Sequence, residues 1–450
     1  MTRPFANLSR AARCRMCLNR ICLIVAAVSV IASSTAVAAE YKVKVVAENE
    51  TAIYEAGSEA RFLISVTADD QPVSEGTVSY KVDDYIPDQT NAGLPSGSLV
   101  LKGGQAVVKV VSKTSGFVRC HVSFVTPEEK SISAVAGVGF SPLDIAPSLP
   151  VPEDFDDFWS RQKALLAKVP MKPELVTVEH DDAALECFDV KVACLGGAPV
   201  SGYFAKPKDA EANSLPAVLW VHGAGVRSSL LANAAKGAQA GMLSMDVNAH
   251  GIANGKPAAF YKQLSVGKLK NYRHDGRESR ETIYFRGMYL RLVRAIDFLT
   301  AQPEWNGKVL AVIGHSQGGG QALVAGGIDD RVTLIASGVP AICDHSGRAA
   351  GRINGWPKLV PTGDDGKPDP VILEAARYID AVNFASRCNA EAIMSVGFID
   401  RVCPPSSCYA AYNCLTGDKQ VINEPAMGHA APKHIKDAFF KRIQEHASEK

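Results

Sequence analysis

Residues 308–327 of the 450-residue chain read KVLAVIGHSQGGGQALVAGG. The run VLAVI is continuously apolar, which is typical of a strand that is buried on both faces of a parallel sheet. Gly314 and Gly318 lie two residues before and two residues after Ser316, and such small residues let a strand and the following helix approach closely. The stretch therefore predicts a strand, a strained turn that presents Ser316, and a helix whose first amides point toward the serine oxygen.

The same alternation of strand and helix continues on both sides of this stretch. Apolar runs typical of buried parallel strands are PAVLWVHG, GMLSMDV, RVTLIASGVP and EAIMSVGFID, while ALECFDVKVACL and VSGYFAKP have the pattern of a hairpin. Apolar residues at helical spacing are clearest over 280–302, and they recur after Asp154 and Asp156, either of which suits a helix N-cap. We therefore predict an α/β domain over 153–450 with a central, mostly parallel sheet.

The region before this domain has a different pattern. Between residues 40 and 140, short alternating segments such as YKVKVVAE, ARFLISVTA and GFVRCHVSFV are separated by Gly, Asp, Asn, Pro and Ser. Because no helical period occurs there, we predict an all-β accessory domain, an immunoglobulin-like sandwich. The proline-rich segment SPLDIAPSLPVP, residues 141–152, is expected to be a stiff linker.

Residues 1–39 have the features of an export signal. An arginine-rich segment precedes the apolar run ICLIVAAVSVIASSTAVAA, which ends in the small-residue pattern Ala36-Val37-Ala38. The alternative is an uncleaved membrane anchor, but the run is short and is interrupted by Ser, Thr and Ala, which favours cleavage. We predict a periplasmic or secreted protein that has no stable membrane insertion after cleavage.

The overall composition limits what can be predicted about binding partners and about the cysteines. With 48 basic and 47 acidic residues the formal net charge is +1, which gives no indication of a nucleic-acid or anionic-membrane partner. An oxidising compartment would permit disulfides, but their connectivity does not follow from sequence, and the cysteine spacing matches no zinc site. Beyond the predicted signal the cysteines are Cys120, Cys187, Cys194, Cys343, Cys388, Cys403, Cys408 and Cys414.

A serine hydroxyl is a poor nucleophile unless a base takes its proton. In this class of fold the acid and then the histidine follow the serine along the chain. Asp400 ends the strand-like run IMSVGFID, and His429 follows in EPAMGHAAP. We therefore predict a catalytic triad of Ser316, Asp400 and His429.

Other histidines and acids fit this chain order or placement less well. They are His222 and His250 before the serine, His315 inside the turn, His434 in the predicted last helix, and Asp344 and Asp380 in a poorly periodic segment. A structural role is the default for each of them.

Acyl transfer also needs two amide donors for the oxyanion. The amide of Gln317, directly after the serine, is the first candidate. The second is expected in the loop HGAG after the strand PAVLWV, where we choose the amide of Ala224. An ordinary turn is the alternative interpretation of that loop.

From about Pro152 to the C-terminus, the chain resembles the acetyl xylan esterase and cephalosporin C deacetylase family of carbohydrate esterases, which are α/β-hydrolases. The likeness rests on DFDDFW, YFRGMYLRLVRAIDFL, GHSQGGGQAL, VPAICD, SVGFIDRVCPPSSCYAAYN and the pair Gly428-His429. It implies that Ser316 is the nucleophile, Asp400 the orienting acid and His429 the base, with oxyanion amides from Gln317 and Ala224. It also implies removal of acetyl groups from xylo-oligosaccharides and small acetylated compounds, without a metal or other cofactor, often by a homo-oligomer.

The chain departs from that family in three places. An aromatic residue usually follows His-Gly, whereas this chain has Ala224; the family's Arg-Gly-Gln-Gly segment is replaced by DVNAHGIANGKP; and the N-terminal region is additional. These differences concern the substrate and the oligomeric state more than the reaction. We predict a serine acetyl esterase acting on acetylated oligosaccharides. The alternatives are a secreted serine peptidase of the prolyl-oligopeptidase type and a catalytically idle glycan-binding protein.

Overall fold

The computed structural model of the chain describes residues 39–86 and 93–450. The predicted export signal therefore lies outside the described residues, except for Ala39, and its cleavage stays a prediction. Residues 40–450 form one compact unit. Within the two described ranges, no helix is both long and apolar enough to cross a membrane.

Residues 41–140, called the β unit from here on, fold into two sheets. Its strands are β1 (Tyr41–Ala47), β2 (Ile53–Tyr54), β3 (Glu59–Ala68), β4 (Gln71–Pro72), β5 (Thr77–Asp83), β6 (Ser96–Val100), β7 (Gln105–Val111), β8 (Gly116–Val125) and β9 (Ser131–Phe140). One sheet contains β1, β3, β4 and β7, and the other has the order β2-β9-β8-β5-β6. Alternate residues of β3 are buried, and its Phe62 shares one apolar core with Val122 and Val138 of the second sheet. The immunoglobulin-like relationship of this unit stays a prediction.

The rest of the chain alternates strands and helices, as predicted. The strands are β10 (Glu174–Thr177), β11 (Leu185–Val192), β12 (Val200–Pro207), β13 (Leu215–Val221), β14 (Leu243–Val247), β15 (Trp305–His315), β16 (Leu334–Gly338), β17 (Glu391–Gly397) and β18 (Lys419–Glu424). The helices are α1 (Phe155–Ala167), α2 (Leu231–Gln239), α3 (Ala258–Val266), α4 (Tyr284–Thr300), α5 (Gln317–Ile328), α6 (Pro370–Arg377), α7 (Ala381–Ala385), α8 (Pro405–Cys414) and α9 (Lys433–Glu449).

The strands of this region form one sheet in the order β10-β11-β12-β14-β13-β15-β16-β17-β18. The predicted hairpin is confirmed as the antiparallel pair β11 and β12. From β14 to β18, every neighbouring pair is parallel. The fold is therefore a mixed α/β fold with a central, mostly parallel sheet.

Helices cover both faces of the parallel part of the sheet, which explains the unbroken apolar runs. Leu310 and Val312 of β15 belong to the core that also contains residues of α4 and α5. Ala311 and Ile313, which point to the opposite face, pack in a second core with Phe439 of α9. Since both faces are covered, neither set of alternating side chains needs to be polar.

Helix α1 begins where the sequence predicted, but its N-cap works differently. Asp154 occupies the N-cap position, yet its side chain accepts no hydrogen bond from the helix amides. The Asp154 carboxylate instead binds the guanidinium of Arg280, at 2.8 and 3.0 Å, and the hydroxyl of Tyr378. The acid therefore links α1 to two later segments of the chain.

The carboxyl ends of the parallel strands lie along one edge of the sheet. The loops that follow β13, β15, β17 and β18 at this edge contain Ala224, Ser316, Asp400 and His429, respectively. Ligands of open α/β sheets bind outside this edge. The topology thus brings all the predicted site residues to the same side of the molecule.

Candidate active site

Ser316 occupies a tight turn between β15 and α5. Its backbone has φ +60° and ψ −123°, a conformation that residues other than glycine seldom adopt. A Cβ at Gly318 would lie 2.2 Å from the carbonyl oxygen of Val221, and a Cβ at Gly314 would lie 2.5 Å from the same atom. The two glycines are therefore required by the close approach of β13 to the turn, and the turn holds the serine in place.

The structure brings Ser316, His429 and Asp400 into one hydrogen-bonded chain. His429 Nε2 lies 2.9 Å from Ser316 Oγ, and His429 Nδ1 lies 2.8 Å from Asp400 Oδ2. A carboxylate only accepts, so Nδ1 carries the proton and Nε2 is left to accept from the serine hydroxyl. This arrangement allows the histidine to act as a general base toward Ser316.

Gln317 is the first residue of α5 and is completely buried. The first amides of a helix have no partner within it, so the Gln317 amide is available to a ligand at the helix N-terminus. Its side chain is held in place, because Gln317 Oε1 accepts a hydrogen bond of 2.9 Å from the hydroxyl of Tyr272. The structure therefore provides one amide donor directly beside the serine.

The loop HGAG passes next to the serine. A Cβ at Gly223 would lie 3.6 Å from Ser316 Cβ. The guanidinium of Arg227 donates to the carbonyl oxygens of Gly223 and Ala224, both at 3.1 Å. Because the C=O and N–H of a trans peptide point in opposite directions, the bond to the Gly223 carbonyl turns the Ala224 amide away from Arg227.

The segment DVNAHGIANGKP contacts HGAG through His250. His250 Nε2 lies 3.1 Å from the carbonyl oxygen of Gly225, and His250 Nδ1 lies 2.7 Å from the hydroxyl of Tyr284. Burial lowers the pKa of His250 to about 4, so the ring is neutral near pH 7. The Gly225 carbonyl requires a donor, which makes His250 the Nε2–H tautomer with Nδ1 accepting from Tyr284. Neither Arg227 nor His250 was predicted from sequence to contact the loop HGAG.

The other histidines and acids considered from sequence have structural contacts elsewhere. His315 stacks on Phe439, and His434 binds Glu424. Asp344 binds Ser148 and Arg352, and Asp380 accepts the amides of Asp344 and His345. His222 is buried beside the backbone of Gly223. Burial lowers the pKa of His222 to about 3, so its ring is neutral near pH 7.

A thiol lies beside the triad. The ligand atoms of Asp400, Cys403 and His429 are within 4.8 Å of one another, and Cys403 also interacts with Ser316. Burial holds the pKa of the Cys403 thiol well above its usual range, which disfavours the thiolate that a metal or an electrophile requires. Asp400 Oδ2 and His429 Nδ1 are already hydrogen-bonded to each other, so neither atom is free to bind a metal.

The cysteines outside the predicted signal carry free thiols. These residues are Cys120, Cys187, Cys194, Cys343, Cys388, Cys403, Cys408 and Cys414. Within residues 39–86 and 93–450, no disulfide joins any two of these cysteines.

Comparison with known proteins identifies the family. The family model for acetyl xylan esterase matches residues 144–446. Acetyl esterase Axe7A of Xylanibacter ruminicola is 30% identical over 382 residues, which cover 84% of this chain and 84% of that protein. The solved acetyl xylan esterase of a Paenibacillus species is 28% identical, with a TM-score of 0.58, covering 68% of this chain and 98% of its own. Acetyl xylan esterase 1 of a Thermoanaerobacterium species is 25% identical, with a TM-score of 0.54, covering 68% of this chain and 97% of its own. The chain belongs to the acetyl xylan esterase family.

Proposed function

We propose that this chain is a serine-dependent esterase that removes acetyl groups from xylan-type oligosaccharides in the periplasm or outside the cell. The observation that carries the proposal is the hydrogen-bonded chain Asp400–His429–Ser316, at the carboxyl edge of the sheet of an acetyl xylan esterase family member. Family membership favours the esterase over the serine peptidase and over the idle glycan-binding protein. The location rests on the predicted export signal.

In the first step, Ser316 Oγ attacks the carbonyl carbon of the acetyl ester while His429 Nε2 takes the hydroxyl proton. The carbonyl oxygen becomes an oxyanion, to which the amides of Gln317 and Ala224 donate. Arg227 supports this role of the Ala224 amide by binding the carbonyl on the other edge of the same peptide. Protonated His429 then gives its proton to the departing sugar oxygen, which leaves an acetyl group on Ser316.

In the second step, water attacks the acetyl-enzyme with the same groups. His429 Nε2 accepts a proton from the water, the two amides again stabilise the oxyanion, and acetate leaves as Ser316 recovers its proton. Asp400 holds the imidazole in the required tautomer and stabilises the imidazolium that forms twice in each cycle. No metal or other cofactor takes part in the proposed steps.

The test is acetate release by the purified protein from acetylated xylo-oligosaccharides, acetylated pectin, cephalosporin C and p-nitrophenyl acetate. We expect Ser316→Ala to lower kcat by about 10⁴-fold or more, since the nucleophile and its base act as a unit. Ser265→Ala, which removes a half-buried hydroxyl on α3 that binds only the carbonyl oxygen of Lys262, is the matched control and should keep full activity.

Two outcomes would contradict the proposal. Full acetate release by Ser316→Ala would exclude the serine mechanism. Cleavage of peptide amides by the wild-type protein, with no hydrolysis of any acetyl ester, would favour the peptidase.

A further inference from the structure

The β unit contacts the loop that contains Asp400. The hydroxyl of Tyr85, just after β5, donates a hydrogen bond to the carbonyl oxygen of Phe398. Phe398 follows β17 directly and precedes Asp400 by two residues. Tyr85 is only 4% exposed, so water competes little for this hydrogen bond.

Tyr85 itself packs against charged groups of the β unit. The guanidinium of Arg119 lies 4.1 Å from the centre of the Tyr85 ring. Arg119 binds both carboxylate oxygens of Asp83 at 2.7 to 2.9 Å, and His121 Nε2 lies 2.9 Å from the same carboxylate. Such a two-pronged ion pair restricts the guanidinium, and the guanidinium restricts the ring. The Tyr85 ring is therefore held against a cluster of hydrogen-bonded charged groups on β5 and β8.

Strand β9 makes a second contact with the loops that follow β17 and β18, which contain Asp400 and His429 and are called the catalytic loops from here on. The amide of Gly137 donates to the carbonyl oxygen of Pro425 at 2.8 Å, and Pro425 directly follows β18 on the way to His429. A Cβ at residue 137 would lie 2.3 Å from the carbonyl oxygen of Phe398. Only glycine lets β9 approach both loops this closely, so one strand contacts the segments that precede the acid and the base.

Aromatic packing completes the contact. The Phe117 ring of β8 lies edge-on to Phe398 with the ring centres 4.9 Å apart, and 5.4 Å from the ring of Tyr409 in α8. The two catalytic loops are also joined to each other, because the amide of Ile399 donates to the carbonyl oxygen of Met427 at 3.2 Å. A displacement of the β unit would therefore move both catalytic loops together.

We propose that the β unit positions the Asp400–His429 pair, through the hydrogen bond from Tyr85 and the close approach at Gly137. This inference rests on the proposed serine esterase function. Tyr85 is a positioning residue, because it acts through the backbone of Phe398 and does not touch the reacting atoms. Catalytic groups need support of this kind, since a small misplacement of a base costs a large part of the rate.

The direct test is Tyr85→Phe, which removes the hydroxyl and keeps the ring beneath Arg119. With p-nitrophenyl acetate, we expect kcat to fall by about five- to tenfold and KM to stay within about twofold, the size expected for one buried hydrogen bond that orients the pair. Tyr54→Phe is the matched control, because the Tyr54 hydroxyl accepts a hydrogen bond from Asn49 within the β unit. That variant should keep the wild-type kcat.

A second readout separates positioning from mere stability. The proton between His429 Nδ1 and Asp400 Oδ2 is expected to give a low-field proton NMR resonance, and Tyr85→Phe should shift or broaden it below the unfolding temperature. Tyr54→Phe should leave the resonance in place. If the wild-type protein hydrolyses no ester, the proposed function fails, while this resonance still reports on the positioning of the pair.

Gly137→Ala tests the second contact, because the added methyl group must displace the backbone at Phe398. We expect a larger fall in kcat than for Tyr85→Phe, together with a change in the same resonance. Folded Tyr85→Phe and Gly137→Ala proteins with wild-type kcat and an unchanged resonance would overturn the inference, even if both unfold at a lower temperature.

Discussion

The two carboxylate oxygens of Asp400 have different partners. Oδ2 lies 2.8 Å from His429 Nδ1, while Oδ1 accepts the amides of Val402, at 2.7 Å, and Cys403, at 3.0 Å. The side chain is completely buried. Rotation of the carboxylate would break these bonds without replacement by water, so the oxygen that faces the histidine is fixed.

Asp400→Asn is expected to lower kcat by about 10⁴-fold while the protein stays folded. The amide oxygen can still accept from Val402 and Cys403, which places the NH₂ group against His429 Nδ1. The imidazole must then carry its proton on Nε2, where it can no longer accept from Ser316. Steady-state kinetics with p-nitrophenyl acetate and thermal unfolding would measure the two effects.

Asp380→Asn is the matched control for this substitution. Asp380 is also a buried acid on the C-terminal side of Ser316, but its carboxylate binds the amides of Asp344, His345 and Val382. The variant should lower the unfolding temperature, because the NH₂ group that replaces one carboxylate oxygen cannot accept from a buried backbone amide. It should keep kcat within about twofold, because it does not contact His429. Equal losses of kcat in both variants would contradict the assignment of Asp400.

Helix α5 packs closely against neighbouring backbone because it has glycines at the points of contact. A Cβ at Gly319 would lie 2.6 Å from the carbonyl oxygen of Gly338, and a Cβ at Gly320 would lie 2.2 Å from that of Ala341. Two further glycines of the helix therefore face the backbone at the end of β16 and just after it. This contact keeps the first amide of α5 next to Ser316.

Gly320→Ala is expected to destabilise the protein by about 1–3 kcal/mol, since the methyl group overpacks a rigid contact and forces the helix outward. Gly287 of α4 is the matched control, because a Cβ there would meet only the guanidinium of Arg291 at 3.6 Å. Gly287→Ala should stabilise by about 0.5–1 kcal/mol, as alanine favours a helix over glycine. Urea unfolding would measure both, and a neutral or stabilising Gly320→Ala would contradict the packing described.

At the scale of the whole molecule, the sequence predicted the central sheet and the order of its catalytic loops. Strands covered on both faces give unbroken apolar runs, and the carboxyl ends of parallel strands meet at one edge. Ser316, Asp400 and His429 could therefore be selected by strand position and chain order. Their catalytic roles stay predictions, although the structure brings the three side chains together.

Contacts of side chains with the backbone of distant segments were not predictable. Tyr85 and Phe398 are 313 residues apart, and the acceptor is a backbone carbonyl that no residue pattern marks. Arg227 and His250 also act on backbone carbonyls, of Gly223 and Gly225. Such contacts depend on which backbone carbonyls the folded chain brings close to a side chain, and no sequence motif indicates this.

The interior of the molecule holds titratable groups that make its stability dependent on pH. Burial lowers the pKa of His222 and His345 to about 3 and that of His250 and His315 to about 4, from an ordinary value of 6.5. Burial also raises the pKa of Asp246 to about 6 and that of Asp380 to about 7, from 3.8. Near pH 5, the unfolded chain therefore binds four protons on these histidines, while the folded chain retains two on the aspartates.

The net difference of about two protons favours the unfolded state in acid. The histidine contribution lowers stability as the pH falls from about 6.5 to about 3 or 4. The two aspartates oppose it, because they stabilise the folded chain in acid and lose this effect as the pH rises through about 6 and about 7. We expect these six groups together to lower the free energy of unfolding by about 3 kcal/mol for each unit by which the pH falls near pH 5, at about 1.4 kcal/mol for each proton. Urea unfolding at a series of pH values from 4.5 to 8 would measure this slope.

The substitution His345→Phe tests whether this histidine contributes to the pH dependence of stability. His345 is 2% exposed, and neither ring nitrogen has a hydrogen-bond partner within residues 39–86 and 93–450. An aromatic ring of similar shape should fill the site without binding a proton in either state, so the slope near pH 5 should decrease by about 1.4 kcal/mol per pH unit. Near pH 8, where the histidine is neutral in both the folded and the unfolded chain, the difference from wild type reports the change in packing alone. Parallel stability curves for the two proteins across the acid range would show that His345 does not cause the acid sensitivity.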